Sequence, residues 1–253
     1  MHLHTQALAP SGAHPVVHLL AAPGPGFTIH TADTQDRRRD AGRLIRQRYS
    51  WRGYRGVTLP PEQRAQRYTL TAANRTQTLG TITVGLDGPE GLNCDALFGD
   101  EVNALRAAGL RLCEFTRLAV DAAAQSRQVL AALFHAAYLV AYRIGGFDRL
   151  LIEVHPRHVR VYERMFGACV VGAQRHHPGV DAPAVLLSLD LADVEEQLAS
   201  QSDTSQQAVA EHPFYALAFS AQEEARHISR LSPAGDAAQR PCSKSRTNRT
   251  GMA

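Results

Sequence analysis

The sequence contains few of the residues that mark a disulfide-stabilised or metal-binding protein. Only four cysteines occur among 253 residues, at positions 94, 113, 169 and 242, and none forms a Cys-x-x-Cys pair. No histidine spacing completes a zinc site with them. Cys113 and Cys169 lie in apolar runs, which favours small core residues over ligands. We therefore expect no metal site and a reducing, cytoplasmic compartment.

The chain also lacks a strong charge of one sign and a long apolar run. Its formal net charge is only +3, which does not argue for a nucleic-acid partner. No segment approaches the ~20 apolar residues that cross a bilayer. The short apolar stretch at 16–22 has no Lys or Arg before it and contains a histidine, so no secretory signal is expected.

What the sequence does contain is the composition of one globular domain, with 44% hydrophobic residues. We expect a flexible N-terminal arm over residues 1–30, a domain over 31–220 and a disordered basic tail over 221–253. Within the domain, Asp33 or Thr34 is a suitable cap for a helix that runs to about Tyr49. Two β-branched segments on either side of a turn then predict a hairpin, Arg67–Ala73 and Thr78–Leu86.

The second half of the domain has the pattern of strands joined by helical crossovers. Apolar residues at helical spacing predict a long helix over Ser126–Ile144, and Pro156 opens another helix that ends at Gly167. The remaining predicted elements are a helix at Asp100–Ala108, strands at Arg111–Val120, Leu150–Val154 and Ala184–Leu189, and a final helix at Leu191–Leu198. This order predicts an α/β (α+β) fold, with a mixed central sheet flanked by helices on both faces.

Glu114 is a carboxylate within an otherwise apolar strand. Burying it is costly unless it is paired, hydrogen-bonded or open to a cleft. Arg117 follows three residues later, so in a regular strand it points to the opposite face, and only a bulge would bring both to one face. A catalytic carboxylate and a structural Glu–Arg pair inside the sheet are both consistent with this pattern.

His155 and Tyr162 mark a second region of interest. His155 ends the predicted strand Leu150–Val154 and precedes a helix, and ligands in open α/β sheets bind at such strand ends. A capped loop histidine is the alternative for His155. For Tyr162 the alternative is a half-buried aromatic ring with its hydroxyl in water.

Residues 94–171 resemble the long-chain N-acyl amino acid synthases of the FeeM type. These are relatives of the acyl-homoserine lactone synthases within the acetyltransferase-like (GNAT) superfamily. The resemblance lies in Asp95-Ala-Leu-Phe-Gly-Asp-Glu-Val102 with Leu105-Arg-Ala-Ala-Gly109, in Cys113-Glu-Phe-Thr-Arg-Leu-Ala-Val-Asp121, and in His155-Pro-Arg-His158 with Tyr162-Glu-Arg-Met-Phe-Gly167. It implies a GNAT-like fold, a thioester acyl donor, usually acyl carrier protein, and an amino acid acceptor. It implies no further cofactor.

The resemblance also implies where the donor enters. In such folds the fourth and fifth strands splay apart, here Arg111–Val120 and Leu150–Val154, and a bulge in the fourth strand is common. Members that use coenzyme A carry a glycine-rich turn that holds the pyrophosphate at a helix N-terminus, whereas residues 125–130 contain no glycine. This favours acyl carrier protein. Because that protein is acidic, arginines such as Arg127, Arg157 and Arg160 suit docking, or are simply solvated.

Roles for the catalytic residues follow from the residues and the resemblance together. Glu114 is the first choice for the base that takes the amine proton, since partial burial would raise its pKa. By analogy with acetyltransferases, Tyr162 would protonate the departing thiolate. Arg117 would either bind the acceptor carboxylate or orient Glu114.

The predicted substrate-binding residues are Thr116, Arg48, Trp51, His155 and Arg157. Arg48 and Trp51 come from the first helix, since in the lactone synthase relatives arginine and aromatic residues of this region fold over the acceptor. Three alternatives stay open. They are a coenzyme A-dependent N-acetyltransferase, a homoserine lactone synthase that uses S-adenosylmethionine, and a non-catalytic module that binds an acyl chain or acyl carrier protein.

Overall fold

The chain folds around one mixed β-sheet. A computed structural model describes residues 20–21, 26–60, 66–124, 126–200 and 222–225, and the rest of the predicted arm and tail lies outside these residues. The strands are β1 (Leu20–Ala21), β2 (Thr28–Thr31), β3 (Arg67–Ala73), β4 (Thr78–Leu86), β5 (Leu112–Val120), β6 (Arg149–Val154), β7 (Cys169–His177) and β8 (Ala182–Asp190). The helices are α1 (Gln35–Trp51), α2 (Asp95–Ala107), α3 (Ser126–Tyr138), α4 (Val159–Phe166) and α5 (Leu191–Ser200).

The sheet order is β1-β2-β3-β4-β5-β6-β8-β7. Among the described strands, only the β5–β6 pair is parallel, as the helical crossover through α3 between them requires. That pair is also the shortest ladder in the middle of the sheet, with three rungs from Leu112 to Glu114. The sheet is therefore continuous on either side of β5 and β6 and open between their carboxyl-terminal halves.

Alternation along the hairpin gives β3 and β4 two different buried faces. Leu70, Ile82 and Val84 are fully buried in the core beneath α3. On the other face, the buried hydroxyls of Thr69 and Thr83 share a hydrogen bond of 2.9 Å, which satisfies both groups away from water. The helix α1 packs against β4 and β5 on this second face.

Helices cover both faces of the other half of the sheet as well. The helix α2 buries Phe98 against Leu112 and Leu151. The helix α3 lies on the opposite face and continues as a π-helical segment, Leu139–Ile144. Among the described residues, no helix combines the length and apolar character needed to cross a membrane.

Most of the predicted elements are confirmed, and so is the fold class. The bounds of β3 and β4 agree with the prediction to the residue. Thr34 caps α1, because its hydroxyl accepts a hydrogen bond from the Arg37 backbone amide at 3.3 Å. Gly167 ends α4 with a φ of 71°, in the left-handed region that glycine adopts readily.

The structure corrects four details. Residues 28–30 of the predicted flexible arm are ordered in the strand β2, which pairs with β3 and buries Ile29. The strand β7 was not predicted, since it is an edge strand with mostly exposed side chains. Cys169 begins it and is exposed, so it is not a core residue. Residues 222–225 of the predicted disordered tail are helical, and the Glu224 carboxylate lies 3.4 Å from His135 Nε2.

Candidate active site

The short β5–β6 ladder opens a cavity between these two strands. Beyond Glu114 and Leu151 the strands no longer pair, so the splay that the family resemblance implied is present. The cavity has a volume of about 940 Å³, which is within the range of small-molecule sites. Its walls come from α1 and the loop after it, β5, α3, β6, α4 and the turn between β7 and β8.

A β-bulge in β5 shapes one side of the cavity. Between the rungs at Thr116 and Ala119, β5 carries one residue more than the facing part of β4, which interrupts the ladder. Arg117 in the bulge has a φ of 51°, uncommon for a residue other than glycine. Its Nε donates to the Thr58 carbonyl at 2.9 Å and one terminal nitrogen donates to Thr116 Oγ1 at 3.3 Å. The predicted bulge thus brings Thr116 and Arg117 to the cavity.

The lining of the cavity has a polar part and an apolar part. The polar part comes mainly from α1, the loop after it, the segment that leads into α3 and the junction of β6 with α4: Arg48, Tyr49, Arg52, Tyr54, Thr58, Asn93, Thr116, Arg117, Asp121, Arg127, Glu153, His155, His158, Tyr162 and His177. The apolar part comes mainly from β5, α3, β6 and α4: Phe115, Leu118, Leu130, Phe134, Ile152, Val154, Val161, Met165 and Phe166. One ligand can therefore meet charged groups at one end and a hydrophobic wall at the other.

Glu114 lies behind this cavity rather than in it. Its side chain is 2% exposed and does not line the cavity. Both carboxylate oxygens accept from the Asn93 backbone amide at 2.9 Å, and the Asn93 side-chain amide donates at 2.6 Å. Its cationic neighbour is Arg67 of β3, at 3.3 Å, and not Arg117. The structure therefore corrects the prediction that Glu114 is the base that takes the amine proton, because the loop before α2 covers its carboxylate.

The loop that Glu114 holds contributes Asn93 to the cavity wall. Arg106 of α2 clamps the same loop from its other side, donating to the carboxylates of Asp87 and Asp95 at 2.7 Å. Hydrogen bonds to charged groups therefore hold the loop firmly, both at Asn93 and at Asp87 and Asp95. Glu114 therefore positions Asn93 and does not itself reach the cavity.

Replacing Glu114 with glutamine is expected to lower the free energy of unfolding by about 2–4 kcal/mol, because an amide would oppose the Asn93 donors and leave the Arg67 charge uncompensated. Chemical denaturation followed by circular dichroism measures the change. Glu90→Gln, at an exposed carboxylate in the same loop, is the matched control and should change stability by less than about 0.5 kcal/mol. Equal stability of the Glu114 variant and wild type would contradict the anchoring role.

A second carboxylate, Glu153 of β6, does line the cavity. Its side chain is 19% exposed, and its Oε1 lies 3.5 Å from Nε2 of His177 on β7. Burial, and after it the negative charge of Glu114, raise the pKa of Glu153 to about 7. Neither Glu153 nor His177 was among the predicted site residues. Glu153 nevertheless carries the signal that singled out Glu114, an acidic residue within an apolar strand.

Two histidines and a tyrosine near the start of α4 complete the polar wall. Burial, and next the Arg157 guanidinium, lower the pKa of His155 and of His158, so both rings are neutral at neutral pH. Burial raises the pKa of Tyr162 to about 12, so its hydroxyl keeps its proton. The Tyr162 ring packs edge-on against Phe134, with 6.4 Å between ring centroids. This part of the wall therefore offers neutral hydrogen-bonding groups.

Most of the predicted site residues come together in the cavity. Those that line it are Arg48, Thr116, Arg117, His155 and Tyr162. Trp51 does not, because its indole is 75% exposed at the end of α1 and stacks with the Arg48 guanidinium 5.1 Å from the ring centroid. Arg157 lies beside the cavity and donates to the Tyr54 hydroxyl at 3.2 Å.

A second, smaller pocket adjoins the apolar wall. Its volume is about 30 Å³, and Phe115, Phe134 and Phe166 line both spaces. The rings of Phe134 and Phe166 lie 4.7 Å apart between centroids. The other residues around the small pocket come from α3, β6, β8 and α5: Ala131, His135, Tyr138, Leu150, Leu189, Leu191, Val194 and Leu198. These three phenylalanine rings therefore separate the cavity from an apolar pocket beneath α5.

A solved structure of a known protein shares this arrangement of elements. The solved structure of FeeM, an N-acyl amino acid synthase from uncultured soil microbes, is 24% identical, with a TM-score of 0.59, covering 67% of this chain and 93% of that chain. The likeness confirms the acyltransferase fold. The AHL synthase LasI is 13% identical, with a TM-score of 0.49 and coverage of 66% and 91%. An acetyltransferase of the GNAT family from Streptococcus pneumoniae is 13% identical, with a TM-score of 0.46 and coverage of 65% and 99%.

Among curated proteins, none matches the chain. The family model of the N-acyl amino acid synthase FeeM matches residues 40–190. This range is more than half of the chain, and it contains the bulge in β5, the splay between β5 and β6, and α4. The chain therefore belongs to the FeeM family of N-acyl amino acid synthases and is an N-acyltransferase.

Proposed function

We propose that the protein transfers a long-chain acyl group from an acyl carrier protein thioester to the amine of an amino acid. The observation that carries this proposal is the two-part cavity, in which a polar wall and an apolar wall meet where β5 and β6 splay apart. An amino acid needs the polar part and a fatty acyl chain needs the apolar part. The thioester carbonyl would then lie between them.

Arginines on the polar wall suit the acceptor's carboxylate, which they bind in two-pronged fashion. Arg48, Arg52 and Arg117 all line the cavity. Of the two roles expected for Arg117, orienting Glu114 is the less consistent with the geometry, since the cation beside Glu114 is Arg67. We therefore assign Arg117 to the acceptor carboxylate.

Amide formation also needs donors for the oxyanion and a proton for the departing thiolate. A bulge leaves its extra residue outside the regular ladder, so the backbone amide there is suited to the tetrahedral oxyanion. Tyr162 is suited to the thiolate, because it lines the cavity and its hydroxyl stays protonated at neutral pH. These two groups would act on opposite sides of the same carbonyl carbon.

Two features support a protein-borne donor over coenzyme A. The segment 121–128, which leads into α3, contains no glycine, so the tight turn that holds a pyrophosphate at a helix N-terminus is absent from that segment. Arg127 at the start of α3 is exposed and lines the cavity with Arg48 and Arg52. A basic rim of this kind complements an acidic carrier protein.

The test is a set of parallel reactions with the purified full-length chain. Acyl carrier proteins loaded with short and long acyl groups, and the matching coenzyme A thioesters, are each mixed with a panel of amino acids. Mass spectrometry follows the N-acyl product. We expect amide from the long-chain acyl carrier protein, with a higher kcat/KM than from the coenzyme A thioester of the same chain.

The same reactions distinguish the alternatives. Amide from acetyl-coenzyme A alone would favour a coenzyme A-dependent N-acetyltransferase, and a lactone formed with S-adenosylmethionine would favour a lactone synthase. Binding of acyl carrier protein without product from any acceptor would favour a non-catalytic module. Each of these outcomes would contradict the proposed function.

A further inference from the structure

We propose that Glu153 is the base that takes the proton from the acceptor's ammonium group, and that His177 holds the Glu153 carboxylate in place. This proposal rests on the proposed function, because it assigns a catalytic group for amide formation in the same cavity. Amide formation requires a neutral amine, whereas an amino acid carries an ammonium group at neutral pH. A carboxylate within reach of that group is therefore needed.

Glu153 occupies the position that this chemistry requires. It lies two residues beyond Leu151, the last residue of β6 that pairs with β5, so its side chain is on the same face as that of Glu114. Glu153 lines the cavity, whereas Glu114 is covered by the loop at Asn93. Of these two carboxylates, only Glu153 is open to a ligand.

The groups that face Glu153 come from three elements. Glu114 lies on β5, and the buried Cys94 lies at the start of α2, with its thiol pKa raised by burial and then by Glu114. His177 lies on β7, and its Nδ1 accepts from the Gly179 amide at 3.0 Å. A neutral His177 ring therefore carries its proton on Nε2, the atom 3.5 Å from Glu153. The Glu153 carboxylate is therefore partly buried near the negative charge of Glu114, which makes it a stronger base. The Nε2 proton of His177 faces it from β7.

The raised pKa fits this role. Burial and the nearby charge of Glu114 bring the pKa of Glu153 to about 7, so the carboxylate is a stronger base than an exposed one and is still largely ionised slightly above neutral pH. A base of this strength matches the operating pH best. The position of Glu153 in the cavity identifies it as the base, and its raised pKa suits proton transfer near neutral pH.

The step balances without any co-reactant. The acceptor's ammonium group loses one proton to Glu153, and the free amine attacks the thioester carbon, forming the C–N bond. Collapse of the tetrahedral intermediate breaks the C–S bond, and Tyr162 protonates the thiolate. The second N–H proton of the amine replaces the one that Tyr162 donates, and Glu153 returns its proton to water.

The first test compares the pH profiles of kcat/KM for wild type, Glu153→Gln and Glu114→Gln with the donor and acceptor that wild type uses. Wild type should lose activity below about pH 7, where Glu153 takes up a proton. Glu153→Gln should be roughly 10²–10⁴-fold slower, and its rate should rise well beyond that pH, because only free amine then reacts. Glu114→Gln removes a neighbouring charge, so it should keep the acid limb and move it to lower pH.

His177→Asn adds a second expected shift. Without the Nε2 donor the ionised carboxylate is less favoured, so the acid limb should move to higher pH. If Glu114→Gln lost the acid limb of the pH profile and Glu153→Gln kept it, the proposal would be overturned. If Glu153→Gln kept the wild-type turnover and pH profile, the base role of Glu153 would be overturned and the proposed function would stand. A wild type that forms no amide would overturn the proposed function and the base role with it.

The second test does not depend on turnover. A carboxyl whose pKa is about 7 when folded and ~4.3 when unfolded contributes stability at pH 5 that is lost as pH rises through this interval. Glu153→Gln should not show this loss. Its melting temperature relative to wild type should therefore rise by several degrees between pH 5 and pH 8. An equal pH dependence of melting in the two proteins would overturn the proposal.

Discussion

Replacing Val194 with phenylalanine is expected to abolish most activity with long-chain donors and to spare short-chain donors. Val194 is buried on α5 and lines the small pocket beyond Phe134 and Phe166. Under the proposed function, a long acyl chain that follows the apolar wall would enter this pocket after the Phe134 and Phe166 rings rotate, whereas a short chain would end in the main cavity. The added ring fills the space that the last carbons of the long chain would occupy.

The size of the effect follows from the methylenes that lose their burial. If about four are excluded, at ~0.8 kcal/mol each, the loss is about 3 kcal/mol, or roughly 200-fold in kcat/KM. Overpacking will also cost stability, by about 1–3 kcal/mol. The measured quantity is therefore the ratio of long-chain to short-chain kcat/KM within one protein, which a general loss of folded enzyme does not change.

Val170→Phe provides the matched control for this experiment. It makes the same substitution on the edge strand β7, at a side chain that is 49% exposed and outside both pockets. Its long-to-short ratio should equal that of wild type. A Val194 variant that loses long and short chains equally would show that the acyl group takes another path.

Local patterns were sufficient to predict much of this fold. The β3–β4 hairpin alternates β-branched and aliphatic residues on two buried faces, so its bounds follow from the sequence alone. The edge strand β7 lacks that signal, because most of its side chains are exposed and only Gly172 is buried. Strands of this kind are defined by their neighbour, here β8, and not by their own pattern.

The candidate site shows the same division between local and long-range information. An acidic residue in an apolar strand pointed to the part of the sheet beside the cavity, but Glu114 and Glu153 give this signal equally. Which of them reaches the ligand depends on the rung where β5 and β6 separate and on the loop that brings Asn93 over Glu114. Both depend on contacts between residues about 20–40 positions apart, which sequence spacing does not reveal.

Tyr162→Phe is expected to slow amide formation by roughly 10²–10⁴-fold, because the departing thiolate would lose its proton donor. Tyr162 lines the cavity, and burial raises the pKa of its hydroxyl to about 12. In the proposed role, Tyr162 would therefore stay protonated across the working pH range and act only as a donor. The substitution should not introduce or remove a limb near neutral pH, in contrast to Glu153→Gln. Steady-state kinetics with the long-chain donor measures the loss.

A change of leaving group separates this role from simple packing of the ring. A thioester of an acidic aromatic thiol departs without a proton, so this donor should restore most of the activity of Tyr162→Phe. Tyr142→Phe is the control, since its hydroxyl donates to Glu195 at 2.8 Å and lies outside the cavity. An equal loss with both donors would mean that Tyr162 positions the substrate, because a group that protonates the leaving thiolate matters only when that thiolate is basic.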